Sequence, residues 1–475
     1  MNKEIKKYHN EVCNNKMSYR ECELAILRQA VDDSENIQKK KMANSENVES
    51  IIKVVEEFLK RKKLVCYGGT AINNILPPDA QFYDRDIEIP DYDFYSPNAL
   101  EDAVELANIY YKLGYNDVEA KSGVHKGTFK VFVNFIPIAD ITQIHKGLYE
   151  AVSKDAIVIM GIHYCPADFL RMNMYLELSR PMGDVSRWEK VLKRLVLLTK
   201  YYPMKSNVSC NTVEFQRKMK SLKENGELLH DIIRDSLIEQ QVVFFGGYAT
   251  SLFSRYMVDT STVVKRVPDF DVLATHPEKT INFLKEHLIQ KGFKNSKIIK
   301  HNGVDEMISE HFELQVNGEK VLFVYKPVAC HSYNKILINN KKIKVATIDT
   351  IMTFYLAFAY AKLQHYSKDR LMCMVKYLFD VEAKNRLSSK GLLKRFSMFC
   401  YGKQKSIEEI REDKSEAFKR LSNKKDSQEY KEWFLKYNPA NGKITKSTRL
   451  KKGKKITKKY KKAFNKTRKN TDFLY

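Results

Sequence analysis

The stretch LVCYGGTAINNILPPDAQFYDRDIEIPDYDF, residues 64–94, joins a short apolar run to a Gly-Gly step and sets five carboxylates in its last eleven positions. The apolar run predicts a strand, Gly68 and Gly69 a turn, and TAINNIL the helix that the turn opens. A strand that runs through glycines into a helix leaves backbone N–H groups and the positive end of the helix dipole facing outward, where a triphosphate fits. Gly68 and Gly69 let the backbone approach phosphates, and Thr70 adds a hydroxyl. Further on, residues i and i+2 of a strand share a face. The run DYD therefore presents Asp91 and Asp93 side by side, with Tyr92 and Phe94 turned into the core. Two like charges so placed repel unless a cation lies between them. A hard divalent ion with oxygen ligands meets that need, and Mg²⁺ (or Mn²⁺) suits a site completed by phosphates.

An internal repeat narrows the choice among the five acids. The segment ENVESIIKVVEEFLKRKKLVCYGGTAINNIL from Glu46 aligns with ENGELLHDIIRDSLIEQQVVFFGGYATSLFS from Glu224 at a constant offset of 178. The same offset sets Asp91 and Asp93 opposite Asp269 and Asp271, whereas Asp84, Asp86 and Glu88 have no counterpart. VFVNFIPIADIT and VLFVYKPVACHS end the two runs of strands, at an offset grown to 190 by an insertion of 12 residues, so Asp140 is expected opposite Cys330. A helix follows in each copy, ADFLRMNMYLELSR and TIDTIMTFYLAFAY. As a third carboxylate on a neighbouring strand, Asp140 completes a two-ion centre in which one ion activates an attacking hydroxyl and the other holds the leaving oxygens. Lys126 and Lys130 in HKGTFK are candidates for neutralising phosphates, with Arg171, Arg187 and Lys193 on the helices beyond.

The chain of 475 residues exceeds one compact core. It divides into an N-terminal helical segment 1–45, a unit over 46–205, its repeat over 206–385, a helical segment 386–440 and a tail 441–475. The tail holds 14 Lys plus Arg against one Asp, more than half of the net charge of +24, and is expected to have no stable fold of its own. A charge of that size points to a polyanionic partner, nucleic acid first. Eight cysteines without a C-x-x-C pair argue against a zinc site or a disulfide framework and for a reducing compartment. The N-terminus lacks an apolar signal region. The most apolar window, ATIDTIMTFYLAFAYAKLQ, carries Asp349 and Lys362 and reads as a buried helix and not a membrane span, so a soluble, intracellular protein is expected.

Gly-Gly opening a helix, then D-x-D on a strand, then a third acid, resembles the nucleotidyltransferase superfamily of DNA polymerase β type. More narrowly, YGGTAINNIL, IPDYDFYS, KGTFKVFVNFIPIADIT and DFLRMNMYLELSRPMGDVSRWEKVLKRL are similar to the catalytic subunits of poly(A) polymerases from nucleocytoplasmic large DNA viruses, over about residues 46–385 and most strongly over 64–200. That resemblance implies an α+β fold with two tandem nucleotidyltransferase-like domains, each a mixed sheet flanked by helices, the second degenerate and forming the other wall of an RNA cleft. It implies template-independent addition of AMP from ATP to an mRNA 3′ end with release of pyrophosphate. Two ions of Mg²⁺ or Mn²⁺ would sit on Asp91, Asp93 and Asp140, and the triphosphate on Gly68, Gly69 and Thr70. Implied partners are an RNA 3′ end and ATP, with a separate processivity or cap-modifying subunit or a homodimer left open, and no membrane. The implied place is the host cell cytoplasm, with packaging into the virion also open. PPDAQFYDRDIEI lengthens the step from Gly68 to Asp91 beyond the usual pattern and leaves Asp84, Asp86 and Glu88 as either loop or extra edge. Other 3′-terminal chemistry remains open, uridylyl or CCA addition and the making of oligoadenylate or a cyclic dinucleotide among it. So does a non-catalytic RNA-binding scaffold or processivity subunit, although the intact acids of the first copy weigh against it.

Overall fold

The computed structural model describes residues 12–441, apart from positions 14–15, 44–45 and 85–87, parts of 211–224 and 258–268, and the single positions 306, 339, 362 and 364. The basic tail from residue 442 and Asp86 lie outside the described residues.

Two eight-stranded sheets carry the fold among those residues. The first unit supplies β1 (Val65–Tyr67), β2 (Tyr92–Ser96), β3 (Val118–Ser122), β4 (Thr128–Val133), β5 (Ile136–Gln143), β6 (Ile157–Ile159) and β7 (Ile162–Tyr164). The second supplies β8 (Val243–Phe245), β9 (Phe270–Leu273), β10 (Ser296–His301), β11 (His311–Val316), β12 (Glu319–Tyr325), β13 (His331–Ile338) and β14 (Lys341–Ala346). Two short strands come later, β15 (Cys400–Tyr401) and β16 (Lys436–Tyr437). The sheet orders are β16-β3-β4-β5-β2-β1-β7-β6 and β10-β11-β12-β9-β8-β14-β13-β15. Without the two edge strands they coincide strand for strand. Both sheets are mixed: β1 runs antiparallel to β2 and parallel to β7, β2 runs parallel to β5, and β8, β9, β14 and β12 repeat these relations. The expected α+β class with two repeated units is what the chain adopts.

The helices that matter to the site are α1 (Glu46–Lys62), α2 (Gly68–Ile75), α3 (Ala167–Leu178), α4 (Trp188–Tyr201), α5 (Gly246–Ser251), α6 (Ile348–Ala361) and α7 (Lys368–Lys384). Val48, Ile51, Val55, Phe58 and Leu59 fall three or four apart on α1 and form its buried face. The apolar window is interior: every residue of α6 from Ile348 to Tyr360 is buried. Helix α6 packs on α3, its counterpart in the first unit, with Phe169 and Tyr360 edge to face at 5.2 Å. Two copies of one helix thus join the units. Among the described residues no helix is long and apolar enough to cross a membrane.

Three expectations are corrected. Six of the eight cysteines pair as disulfides, Cys13–Cys22, Cys210–Cys373 and Cys330–Cys400, leaving Cys66 and Cys165 free and buried. Separations of 9, 163 and 70 residues form no spacing motif, since the pairs are made by tertiary neighbourhood, and the argument for a reducing compartment falls with them. The segment 386–440 does hold helices, Ile407–Leu421 and Gln428–Phe434, but it also lends each sheet its edge strand, β15 on β13 and β16 on β3. Finally, Cys330 is not opposite Asp140. Pairing of β5 with β2 sets Asp140 beside Asp93, and the same pairing of β12 with β9 sets Phe323 beside Asp271. The apparent match of PIAD to PVAC led the offset astray, because Cys330 lies beyond β12, in the connection to β13.

Candidate active site

Strand β1 delivers the chain to Gly68, whose φ of +75° lies in the left-handed region that a side chain disfavours. A Cβ built there would stand 2.3 Å from Asp93 Oδ2, so this glycine is what admits the carboxylate to the turn. In β2 the pattern alternates as expected: Tyr92, Phe94 and Ser96 are buried, and Asp93 faces the other side. Asp91 lies just before the strand, its carbonyl accepting from the Thr70 hydroxyl at 2.8 Å. Thr70 is buried, and its hydroxyl anchors the aspartate segment instead of standing ready for phosphate.

Parallel pairing of β2 with β5 sets Asp93 beside Asp140, and antiparallel pairing of β4 with β5 sets Lys130 beside Asp140. Lys130 forms an ion pair with Asp140 through Oδ2. The other oxygen, Oδ1, is buried with no hydrogen-bond partner. Burial raises the Asp93 carboxyl to about 7, with Asp91 and Asp140 pushing the same way against Lys130 and Arg187. Asp91 remains open to solvent on its outer side, yet the protein packed around it strips enough water, with the charge of Asp140 adding, to raise it to about 6. Three carboxylates against one ammonium leave the group net negative. Such a set, with one buried oxygen unspent, fits hard divalent cations held by Asp91, Asp93 and Asp140. Among the described residues no three acidic, histidine or cysteine side chains are already drawn together as a coordination shell. Lys130 neutralises Asp140 instead.

The phosphate candidates separate. Lys130 lies in the site, and the field of Arg187 reaches Asp93 although its guanidinium pairs with Glu177 at 3.2 Å. Lys126 is drawn away to Glu432 at 3.2 Å. Arg171 is fully buried and holds Asp168 and the Tyr202 carbonyl, which makes it a core ion pair of α3. Lys193 pairs with Glu189 on the exposed side of α4. One turn position along, Arg194 faces inward: its guanidinium lies 2.9 Å from a Cβ built on Gly69, donates to the Tyr83 hydroxyl at 2.7 Å and stacks 4.8 Å over Phe82. Tyr83 and Phe82 come from the insertion after α2, held by backbone donation of both to Asn73 Oδ1 at 2.9 and 2.8 Å. Asp84 and Glu88 in that insertion lie outside any strand. Arg194 was missed because its place depends on which face of α4 meets α2; the only available signal, helical spacing, did not single it out from Lys193.

Residues 53–184 match the family model described as poly(A) polymerase catalytic subunit. The matched residues lie within the first unit. A relative in African swine fever virus (isolate Tick/Malawi/Lil 20-1/1983), named for the poly(A) polymerase catalytic subunit, is 33% identical over 174 residues, covering 35% of this chain and 36% of that protein. A relative so named in Acanthamoeba polyphaga mimivirus is 34% identical over 160 residues, covering 33% of this chain and 27% of its own. The matched region therefore spans about a third of the length of these relatives. The crystal structure of the Megavirus polyadenylate synthase superposes with a TM-score of 0.75 at 20% identity, over 90% of this chain and 88% of that one, and shows the same fold in both units.

Proposed function

We propose that this protein adds AMP from ATP to RNA 3′ ends without a template, releasing pyrophosphate, with the centre in residues 46–205 and the repeat over 206–385 catalytically silent. The observation that carries the reading is the register of Asp93 with Asp140 beside the Gly68–Gly69 turn, inside the region that matches poly(A) polymerase catalytic subunits. The two relatives so named support the choice of adenylyl transfer over other nucleotidyl transfer.

The bond that forms joins the RNA 3′ oxygen to the α-phosphorus of ATP, and the bond that breaks is the one to the β-phosphate oxygen. Asp91, Asp93 and Asp140 are the residues to hold two divalent ions, which when bound supply Lewis-acid activation of the hydroxyl and neutralise charge on the leaving oxygens. The backbone N–H groups of Gly68 and Gly69 face the triphosphate at the N-terminus of α2, and Arg194 moves from Tyr83 to the phosphates. Lys130 pairs with Asp140 in the unloaded site and lends positive charge to it. The chain contributes orientation and charge, with no covalent intermediate. The net charge of +24 and the basic tail favour a long RNA as acceptor.

Purified protein is incubated with a 5′-labelled oligoadenylate, Mg²⁺ or Mn²⁺, and each nucleoside triphosphate in turn. A ladder grown with ATP, stopped by EDTA, lost in Asp91→Ala/Asp93→Ala and kept in Asp269→Ala/Asp271→Ala is the expected result. Extension with UTP or CTP in place of ATP, or none with any nucleotide by a protein that binds the primer, would replace this reading.

A further inference from the structure

The second unit keeps the carboxylate pair but encloses it: Asp269 and Asp271 are 0% and 3% exposed. Arg217, from the segment linking the units, donates its backbone N–H to Asp269 at 2.8 Å and its Nε at 2.5 Å, and its guanidinium reaches Asp271 at 3.5 Å. Tyr366 donates to Asp271 at 2.6 Å, and the Arg370 guanidinium lies 3.3 Å from Asp269. The residue in the place of the third acid, Phe323, forms the floor, with the Arg217 guanidinium 4.6 Å from its ring centre.

Charge separates the two sites. Three carboxylates and Lys130 leave the first unit with a deficit that calls for divalent ions, whereas two carboxylates with Arg217 and Arg370 close to neutrality. A planar guanidinium, forked toward carboxylates and content on an aromatic face, is suited to such a place. The same segment also covers the other half of the site. The Phe215 carbonyl accepts from Arg370 and stands 2.6 Å from where a Cβ on Gly247 would be, over the Gly-Gly step that in the first unit faces the triphosphate.

We propose that residues 215–217 are a plug built into the chain: Arg217 fills the cation position of the second unit and the Phe215 carbonyl fills its phosphate position, which closes that site to divalent ions and nucleotide and fastens the linking segment to the repeat. The plug explains how an acidic pair survives burial after losing its third acid, and it does not depend on the adenylyl transfer proposed above.

The test uses full-length protein and two readouts that need no polymerase activity. First, Mn²⁺ uptake is measured by electron paramagnetic resonance in Asp91→Asn/Asp93→Asn, with and without Asp269→Asn/Asp271→Asn. The proposal expects the two to take up the same amount; an ion lost with the second pair of substitutions overturns it. Second, chymotrypsin cleavage after Phe215 is timed. Arg217→Ala is expected to be cut at least about tenfold faster than wild type, through opening of the segment. A rate equal to wild type overturns the proposal. Where the alanine variant does not fold, Arg217→Lys, which keeps the charge and loses the fork, is expected to be cut a few-fold faster, and an unchanged rate counts against the plug in the same way.

Discussion

Adding one methyl group at Gly68 and one at Gly246 tests the proposed site and its repeat together. Both glycines have nearly the same backbone, φ of +75° and +74°, so alanine at either costs about 1–2 kcal/mol for the left-handed conformation. What differs is the neighbour's role. At Gly68 the new Cβ meets Asp93 Oδ2 at 2.3 Å, and to restore an ordinary contact near 3.4 Å the carboxylate must retreat by about 1 Å. A displacement of that size at a reacting centre costs roughly 10²-fold in rate. At Gly246 the Cβ meets Asp271 at 2.1 Å from Oδ2 and 2.6 Å from its Cβ, and Asp271 is locked to Tyr366 and Arg217. Disturbing a buried charge pair adds about 3 kcal/mol to the backbone strain. Gly68→Ala is thus expected to lower kcat for primer extension about a hundredfold with modest loss of stability, and Gly246→Ala to lower stability by more with kcat unchanged at a temperature where it stays folded. Urea unfolding and primer extension on the same preparations give both numbers. A Gly68→Ala enzyme of wild-type kcat, or a folded Gly246→Ala enzyme equally slow, refutes the assignment of the reaction to the first unit.

Other consequences are as direct. Arg194→Ala, which removes the guanidinium beside Gly69 and frees Tyr83, is expected to raise KM for ATP at least about tenfold with a smaller change in kcat, since a phosphate contact of about 1.4 kcal/mol or more is lost; steady-state kinetics in ATP at saturating primer decide it. Reduction of Cys210–Cys373, which closes a loop of 163 residues between the linking segment and α7, is expected to lower stability by about 3–5 kcal/mol, read by urea unfolding of Cys210→Ser against wild type. Burial lowers His311 to about 4 and His331 to about 3, so between these values and the ordinary 6.5 these two sites bind more protons in the unfolded chain than in the folded one, and their contribution to stability falls as pH drops below 6.5. The fall should flatten in His331→Phe when unfolding is followed from pH 8 to pH 4.

Much of this arrangement can be read along the chain because its signals are local. The Gly-Gly step, the alternation around DYD and each of the two segments aligned at the offset of 178 live within a few dozen residues, and they reappear as Gly68 at β1, as the buried face of β2 and as two sheets of one strand order. What escaped depends on contacts between segments far apart. That Asp140 ends a strand run is local, and the run pairs it with Asp93, but its counterpart was mistaken because a Pro-x-Ala match outweighed strand register. Lys126 and Arg171 had the right charge, yet Glu432 claims the first from far along the chain, and the second is buried between the Tyr202 carbonyl and Asp168, three residues before it on α3. The cysteine pairs escaped for the same reason.

Strand register also sets the two copies apart in the charges they bring together on the same scaffold. Position by position, Lys130 against Asp140 on β4 and β5 becomes Glu313 against Phe323 on β11 and β12. Glu313 is then buried opposite a ring, and turns to His301 at 2.8 Å and to Lys320 of β12 at 3.7 Å. With an aromatic ring where the first unit has its third acid, a divalent ion in the second unit would have only Asp269 and Asp271, and both are already engaged by Arg217, Arg370 and Tyr366. A guanidinium suits this place: it is weakly hydrated, is tethered to the chain, and gains the ring that excludes the ion. Reversing the exchange therefore needs more than Phe323→Asp. A third carboxylate beside Arg217 and Arg370 simply joins the ion-pair network, so Phe323→Asp alone is expected to take up no more Mn²⁺ than wild type, while Phe323→Asp/Arg217→Ala is expected to gain a site that Asp271→Asn removes. Uptake above wild type by the single variant would show that the acids, and not the arginine, decide which unit holds metal.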